Sequence, residues 1–473
     1  MTASEFYSII KQHFPFTPTL KQNIVLQQLS AFIFNPSPNG LYILKGYAGT
    51  GKTTIIGAVV NNLWKAKKSS VLLAPTGRAA KVMANYSGKE AFTIHKKIYF
   101  PRKDKGGGVK FVLQPNKHKN TVFIVDEASM IPDTPGESKF FENGSLLDDL
   151  MQYVYSGHQC KLLLIGDTAQ LPPVKLDVSP ALNEDQLALT YNKDVIKMEL
   201  DEVVRQEFDS GILANATALR EALASRTDYF KFQLNGFKDI VRLIDGHDIM
   251  DAINESYYNL GNEETAFIVR SNKRANLYNQ NIRSRILFNE SELSAGDYLM
   301  VVKNNYFWIK PTTEAGFIAN GDIIEVLEIF KIEDLYGFKF AQVKIRMVDY
   351  PKMQPFETVL LLDTIMAETP SLSYDDSNRL YQEVIKDYEE ETSNYKKFLK
   401  VKQNKRFNAL QVKFSYAITC HKSQGGQWNT VFVEQPYLPN GIDTDYLRWL
   451  YTAVTRAKEK LYLIGFKDDF FEE

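Results

Sequence analysis

The chain has 473 residues, of which 44% are hydrophobic and 24% charged, and this is the composition of an ordinary soluble globular protein of roughly three domains. The net charge of −1 gives no global sign of a nucleic-acid partner, although a local basic groove stays possible. The chain has only two cysteines, which excludes a disulfide framework and a cysteine metal site. The first residues lack a signal-peptide pattern, and no apolar run reaches the ~18–20 residues of a membrane span. We therefore expect a cytoplasmic protein with no membrane partner.

The first two hundred residues alternate short apolar runs with helical patterns, which is typical of a parallel α/β sheet. The runs are rich in Val, Ile and Leu without strict alternation, as expected for strands that are buried on both faces. They cover residues 41–46, 70–76, 121–127 and 161–167. Ligands of open α/β sheets bind at the carboxyl ends of the strands, so the residues that follow each run are the candidates for chemistry.

The first run leads into Gly-Tyr-Ala-Gly-Thr-Gly-Lys-Thr at 46–53, a complete G-x-x-x-x-G-K-[ST] pattern between a predicted strand and a predicted helix. The backbone N–H groups of such a loop surround phosphate oxygens at the positive end of the helix, the lysine reaches the β- and γ-phosphates, and the last hydroxyl binds Mg²⁺. The strand–loop–helix context disfavours the alternative of a glycine-rich loop with an exposed lysine. The predicted nucleotide-binding residues here are Gly46, Tyr47, Ala48, Gly49, Thr50, Gly51, Lys52, Thr53 and Thr54.

Two acids end the third run, and they are the predicted hydrolytic partners of this loop. Asp126 would hold Mg²⁺ together with Thr53, and Glu127 would position and deprotonate the attacking water. An Asp-Glu pair after a strand is a weak signal alone, because exposed acids at any strand end look the same. Together with the phosphate loop, it predicts an ATP hydrolase that uses Mg²⁺.

Residues 96–120 hold eight Lys or Arg and one acid between two short β-like segments. A hairpin with a glycine-rich tip near residues 102–108 is the natural interpretation. Basic side chains would contact phosphates, and Phe100 or Phe111 could stack on a base. The alternative is a flexible basic loop.

Strand patterns return at 265–271, 429–435 and 460–466, which predicts a second sheet of the same type. Between them, residues 338–348 partly alternate and follow a turn pattern, which predicts a small antiparallel β module. Residues 374–406 are polar and helical, acidic first and basic later, and we interpret them as a solvated helix or helix pair rather than a binding surface.

Phosphoryl transfer also needs cations that neutralise the negative charge of the transition state. Arg205, within residues 200–206, and Arg456, within residues 450–458, are candidates. Either arginine alone would be interpreted as a surface ion-pair residue.

The order and spacing of these segments, from about residue 17 to about residue 466, resemble the motif set of superfamily 1 helicases. Residues 421–428 (HKSQGGQW) and 451–458 (YTAVTRAK) are most similar to the 5′→3′ branch, which includes RecD and Dda. The absence of a long segment before residue 17 favours a compact, Dda-like architecture.

The resemblance implies an α/β fold of two RecA-like parallel-sheet motor domains. A β-hairpin would be inserted in the first motor domain, and an SH3-like β module with a helical arm in the second. The implied boundaries are 1–200 for the first motor domain with its hairpin at 96–120, 201–294 and 411–473 for the two parts of the second, and 295–410 for the inserted module.

The resemblance also gives roles to nucleotide-site residues. The segment 17–22 is similar to an adenine-reading motif, which implies that Gln22 contacts the base. The segment 166–174 resembles the third motif and makes Gln170 a γ-phosphate sensor. Arg205 and Arg456 fall in the fourth and sixth motifs, which implies that both reach the γ-phosphate from the second motor domain.

Single-stranded DNA is the implied substrate, and four segments resemble those that hold it. These segments are 74–80, 92–95, 268–276 and 417–428. The hairpin would act as the wedge that splits the duplex, and residues 374–406 would form an arm that braces the hairpin. The implied DNA-binding residues are Pro75, Thr76, His95, Phe100, Arg270, Asn272, Thr419, His421, Ser423 and Gln424.

The sequence therefore predicts an ATP-driven DNA helicase that moves 5′→3′ on single-stranded DNA, unwinds tailed duplex and acts as a monomer. One alternative is a translocase that remodels DNA without separating strands. The other is a nucleotide-gated DNA-binding subunit of a larger complex, which the presence of Glu127, Gln170 and both arginines disfavours.

Overall fold

The computed structural model describes residues 1–103, 109–134, 145–202, 210–227, 229–310, 313, 315–439 and 441–472. Its first α/β unit ends at Leu200. The elements of this unit are α1 (Ala3–Gln12), α2 (Leu20–Phe34), β1 (Gly40–Gly46), α3 (Lys52–Asn62), β2 (Ser69–Ala74), α4 (Gly77–Ser87), β3 (Ala91–Thr93), α5 (Ile94–Ile98), β4 (Tyr99–Lys103), β5 (Val109–Leu113), β6 (Thr121–Val125), α6 (Leu146–Tyr155), β7 (Lys161–Gly166), α7 (Glu184–Tyr191) and β8 (Asp194–Leu200).

Six of these strands form a parallel sheet in the order β3-β2-β6-β7-β1-β8. The four predicted strands are its centre, where β1, β6 and β7 are buried almost throughout. The sequence patterns missed the two edge strands, because β3 has three residues and β8 alternates between exposed and half-buried positions. All the phosphate-site candidates of this unit follow central strands.

The remaining chain builds a second α/β unit and an inserted module. Its elements are α8 (Gly211–Ser225), β9 (Ile240–Leu243), α9 (Gly246–Leu260), β10 (Thr265–Val269), α10 (Asn272–Asn281), β11 (Tyr298–Val301), β12 (Ile323–Leu335), β13 (Phe338–Met347), β14 (Phe356–Leu361), α11 (Asp363–Met366), α12 (Tyr374–Lys386), α13 (Asn394–Gln403), β15 (Leu410–Phe414), β16 (Ala417–Thr419), α14 (Cys420–Ser423), β17 (Trp428–Glu434), α15 (Thr444–Val454) and β18 (Ala457–Ile464).

The second sheet is also parallel, in the order β16-β10-β17-β18-β9. Its core includes helices α8 and α15 and also takes in Ala169 and Leu171 of the first unit. The two units therefore share buried apolar surface beside the carboxyl end of β7. Among the described helices, none combines the length and the apolar character that crossing a bilayer requires.

The inserted module is a closed barrel of β11 to β15. Tyr336 and Gly337 join β12 to β13 with φ of 57° and 72°, which is the backbone of a tight hairpin turn. Helices α12 and α13 are the predicted helix pair, and both pack on the barrel wall through Leu380, Val384 and Val401. The closing strand β15 runs past the predicted boundary at residue 410, because only two residues separate it from β16 and no change of composition marks the switch.

The predicted hairpin is present as the antiparallel pair β4 and β5, with Tyr99 opposite Leu113. Of the tip predicted near residues 102–108, the first two residues belong to β4, and residues 104–108 lie outside the described residues.

Candidate nucleotide and DNA sites

The loop between β1 and α3 wraps around the start of the helix. Gly49 and Gly51 have φ of 74° and 82°, in the left-handed region that side chains disfavour, so this backbone needs the glycines of the motif. The Lys52 ammonium donates to the carbonyl oxygens of Gly46 (2.6 Å) and Tyr47 (2.7 Å). The positive end of α3 and the N–H groups of the loop line one cavity, which is the arrangement that binds phosphate.

Two carboxylates stand at the end of β6. Asp126 accepts a hydrogen bond from the Tyr86 hydroxyl at 2.9 Å and another from the Glu127 N–H at 2.9 Å. Desolvation by the surrounding protein raises the pKa of Glu127 to about 7, against the opposing charge of Arg456. A carboxyl with a pKa near neutrality suits a general base, because it is available to accept a proton at working pH.

The cavity beside these groups, which we call the nucleotide cleft, has a volume of about 430 Å³ and is lined by both α/β units. From the first unit it receives the phosphate loop, both acids and Gln170, and from the second Ser210 and Arg456. All but two of the predicted nucleotide-site residues line this cleft: Gly46 is not part of its lining, and Arg205 lies outside the described residues.

Arg456 and Gln170 approach the cleft from opposite units. Arg456 is 3% exposed, and its guanidinium donates to the carbonyl oxygens of Thr452 (2.9 Å) and Gly426 (3.2 Å). Within the described part of the chain, the buried Gln170 side-chain oxygen has no hydrogen-bond partner. Buried polar atoms are nearly always paired, so this oxygen is placed to accept a bond from a ligand or its water.

Gln22 lines the nucleotide cleft and also makes two bonds within the protein. Its amide oxygen accepts from the Thr19 N–H, which completes a capping box at α2, and its amide nitrogen donates to the Thr50 carbonyl at 3.0 Å. Gln22 is 3% exposed. It thus ties the start of α2 to the phosphate loop, and one amide hydrogen is left for a base.

The donor set fits a magnesium ion that is bound mostly through nucleotide and water. Thr53 and Asp126 both line the nucleotide cleft. Across the described ranges, no group of three or more His, Cys, Asp or Glu side chains could form a metal site made of protein alone. Mg²⁺ typically takes one or two protein oxygens plus substrate phosphates, which is what this cleft offers.

Pro75 and Thr76 lie at the start of α4, where two units meet. The Thr76 hydroxyl caps α4 by accepting from the Ala79 N–H at 3.2 Å. Next to it, the Arg78 guanidinium lies 4.0 Å from the centre of the Trp428 ring in the second unit. The first predicted DNA segment is thus in direct contact with the segment at 417–428.

The candidates of the second unit divide between surface and interior. Arg270 and His421 both reach the surface, and the protein around the His421 ring partly desolvates it, which lowers its pKa together with the charge of the neighbouring Arg270. Asn272 is half-buried and donates to the Glu368 carbonyl at 3.1 Å, while Thr419 precedes α14 as its N-cap.

Ser423 and Gln424 are turned inward. Ser423 has no exposed surface and donates to the Cys420 carbonyl at 2.7 Å. Gln424 is 7% exposed and donates to the Leu171 carbonyl of the first unit at 2.7 Å. Their positions favour a link between the two units over direct contact with DNA.

His95 and the hairpin meet the barrel through aromatic rings. Phe111 of β5 lies 4.4 Å from Tyr306 between ring centres, and Phe317 lies 4.9 Å from Tyr306 and 6.2 Å from His95. Burial lowers the pKa of His95 to about 4, so this ring is neutral at physiological pH. Phe100 is 39% exposed and is available for stacking.

Sequence patterns missed two tyrosines that bond to residues of the nucleotide cleft. Tyr86 contacts Asp126 from α4, and the Tyr451 hydroxyl contacts Asp167 at 2.6 Å and the Ala48 N–H at 3.0 Å. Tyr451 is the first residue of the segment YTAVTRAK, which also holds Arg456, so the sequence did contain a signal that places this tyrosine near the cleft. No local pattern marks Tyr86.

Two family models match the chain: one for an AAA domain over residues 26–232 and one for a UvrD-like helicase C-terminal domain over residues 414–464. The ATP-dependent DNA helicase dda of Enterobacteria phage T4 is 26% identical over 463 residues, which cover 89% of this chain and 93% of that protein. The ATP-dependent RecD2 DNA helicase of Deinococcus radiodurans is 32% identical over 200 residues, which cover 42% of this chain and 23% of that protein. Among solved structures, the Pif1 helicase from Candida albicans covers 96% of each chain at 16% identity and a TM-score of 0.40.

Proposed function

The chain belongs to the superfamily 1 helicases, in the 5′→3′ branch that includes RecD and Dda, and we propose that it is an ATP-dependent DNA helicase. It uses ATP with Mg²⁺, translocates 5′→3′ along single-stranded DNA and unwinds duplex DNA that carries a single-stranded tail. It acts as a monomer.

The observation that carries the proposal is the composition of the nucleotide cleft. Lys52 and Glu127 come from the first unit, and Arg456 comes from the second, across one cavity. A nucleotide bound between two units contacts both, so its binding and hydrolysis favour different arrangements of the units. A nucleotide site inside one unit would give no such coupling.

Each group of the cleft has a role in hydrolysis. Lys52 neutralises the β- and γ-phosphates, and Glu127 positions the attacking water and accepts its proton. Arg456, and by resemblance Arg205, stabilise the charge that develops on the γ-phosphate. The unpartnered amide oxygen of Gln170 accepts a hydrogen bond from the attacking water, and the Gln170 amide N–H donates to a γ-phosphate oxygen.

Thr53 and Asp126 would hold the magnesium ion, directly and through water. When bound, the ion neutralises phosphate charge. The Tyr86 hydroxyl donates to Asp126, which orients this carboxylate before any ligand arrives.

DNA lies across both units on the side of α4 and α14. Pro75 and Thr76 contact it on the first unit, and Arg270, Asn272, Thr419 and His421 contact it on the second. Phe100 and His95 belong to the root of the hairpin, by which we mean α5, β4 and β5. The hairpin separates the two DNA strands. The first motor domain then covers residues 1–200, and the second covers 201–294 together with the chain after the barrel.

An unwinding assay that compares 5′-tailed with 3′-tailed duplex tests the proposal. Only the 5′-tailed duplex should be unwound, and single-stranded DNA should strongly raise ATP turnover, because DNA and nucleotide residues meet across one cleft. DNA-stimulated turnover without unwinding would favour the translocase. Turnover that ignores DNA would count against a motor and favour the nucleotide-gated binding subunit.

A further inference from the structure

The loop at residues 167–171, which carries Gln170, is held by the second unit at three points. The Tyr451 hydroxyl donates to the Asp167 carboxylate at 2.6 Å. The Leu171 N–H donates to the Thr452 hydroxyl at 2.9 Å, and Gln424 donates to the Leu171 carbonyl at 2.7 Å. Two consecutive residues of α15 therefore fix both ends of this loop.

The Tyr451 hydroxyl makes a second contact, with the phosphate loop. It accepts a hydrogen bond from the Ala48 N–H at 3.0 Å while donating to Asp167. Tyr451 and Asp167 are each 1% exposed, so water does not replace either bond. A hydroxyl has one hydrogen and two lone pairs, and this one uses its hydrogen on one loop and a lone pair on the other.

The position of this bridge connects it with catalysis. Ala48 belongs to the phosphate-binding loop, and an N–H that donates to Tyr451 is not available to a phosphate oxygen at the same time. Tyr451 lies in the last turns of α15, and Arg456 follows the end of this helix. A movement of α15 therefore displaces Arg456 and, through the hydroxyl, acts on Ala48 and Asp167 together.

We propose that Tyr451 is a positioning residue that ties the phosphate loop and the Gln170 loop to the helix of the second unit, and so transmits DNA binding to ATP turnover. The proposal rests on the proposed function. Gln424, from a segment that resembles a DNA-holding motif, bonds to the same Gln170 loop, which gives DNA a route to this bridge.

The test is Tyr451→Phe, which removes the hydroxyl and keeps the buried ring. Tyr446→Phe is the matched control, because Tyr446 lies on the same helix, is 0% exposed and donates its hydroxyl to Gln435 at 2.7 Å, away from the cleft. With saturating single-stranded DNA, we expect kcat of Tyr451→Phe to fall about tenfold, as for the loss of one or two buried hydrogen bonds. KM for ATP should change less than about twofold, since the loss falls on turnover rather than binding.

Thermal melting of both variants separates this role from a structural one: Tyr451→Phe loses two hydroxyl bonds and Tyr446→Phe loses one, so Tyr451→Phe should melt lower, and kcat is compared at a temperature where both variants are fully folded. A double variant with Asp167→Ala adds a second check: if both residues act through one bridge, the combined loss of kcat should be smaller than the product of the single losses. Equal kcat for Tyr451→Phe and Tyr446→Phe would overturn the inference. A wild-type chain whose turnover ignores DNA would instead count against the proposed function.

Discussion

At the nucleotide cleft the side chains are fixed by directional hydrogen bonds near strand ends, whereas the root of the basic hairpin is held by aromatic rings from another part of the chain. Asp126, Asp167 and Arg456 each have two or more hydrogen bonds of 2.6–3.2 Å. Phe111 is held by Tyr306 and Phe317 at ring distances of 4.4 and 6.1 Å.

This difference follows from what each region must do. Phosphoryl transfer depends on groups placed to within a fraction of an ångström, and hydrogen bonds specify direction as well as distance. A wedge only has to stay in the path of a strand, and ring contacts hold it with more tolerance. We therefore expect single substitutions to cost far more turnover at the cleft than unwinding at the hairpin root.

Lys52→Ala should have the largest effect and abolish hydrolysis. The phosphates lose their nearest cation, which weakens nucleotide binding as well as turnover, so we expect a loss of roughly 10³-fold or more. ATPase and nucleotide-binding assays on the same preparation measure both effects. Turnover near the wild-type rate would mean that the phosphate loop does not take part in hydrolysis. The expected difference between the cleft and the hairpin root would then be wrong.

Arg456→Ala should lower turnover much more than nucleotide affinity. An arginine finger acts on transition-state charge and is worth about 10³–10⁵ in rate. Arg205→Ala should behave in the same way. Comparison of kcat with the dissociation constant of a non-hydrolysable ATP analogue checks this, and unchanged rates in both variants would make these arginines structural ion-pair residues.

Glu127→Gln should retain ATP binding and lose about 10²–10⁴ in turnover, because an amide cannot accept the proton of water. The wild-type protein should also lose kcat/KM as the pH falls below about 7, since the raised pKa of Glu127 leaves the base protonated there. A pH profile and the variant's ATPase rate measure the two effects. Normal hydrolysis by Glu127→Gln would mean that another residue is the base.

The cleft could be predicted largely from the sequence because its residues follow buried strands in short consecutive patterns. Gly49 and Gly51 are dictated by local backbone geometry, because their positive φ angles require glycine, whereas Glu127 takes a φ of 53° that disfavours its side chain and was predicted from its place after a buried strand. Tyr86 could not be predicted, since its contact with Asp126 depends on how α4 packs over the sheet. The bonds from Gln22 to the Thr50 carbonyl and from Gln424 to the Leu171 carbonyl depend on tertiary packing in the same way, whereas the capping bond between Gln22 and Thr19 is local.

The hairpin root was predicted less completely. The sequence indicated β4 and β5, but nothing local connects Phe111 with rings nearly two hundred residues later. The arm was expected to brace the hairpin, and its helices pack on the barrel wall. The brace that the described residues show is the barrel segment that holds Tyr306 and Phe317, together with a bond from Lys96 to the Thr313 carbonyl at 3.1 Å.

Phe317→Leu should give the smallest effect and sharpen the comparison most. The substitution keeps an apolar side chain and removes ring contacts worth about 0.5–1.5 kcal/mol, so unwinding of a 5′-tailed duplex should fall by about twofold to tenfold. Because the cleft lies elsewhere, DNA-stimulated ATP turnover should stay within about twofold of wild type. Phe407→Leu is the matched control, since this ring lies 6.0 Å from Tyr381 of the arm. Loss of unwinding in Phe407→Leu alone would mean that the arm braces the wedge, and equal loss of ATPase and unwinding in Phe317→Leu would mean that the ring cluster supports the whole fold.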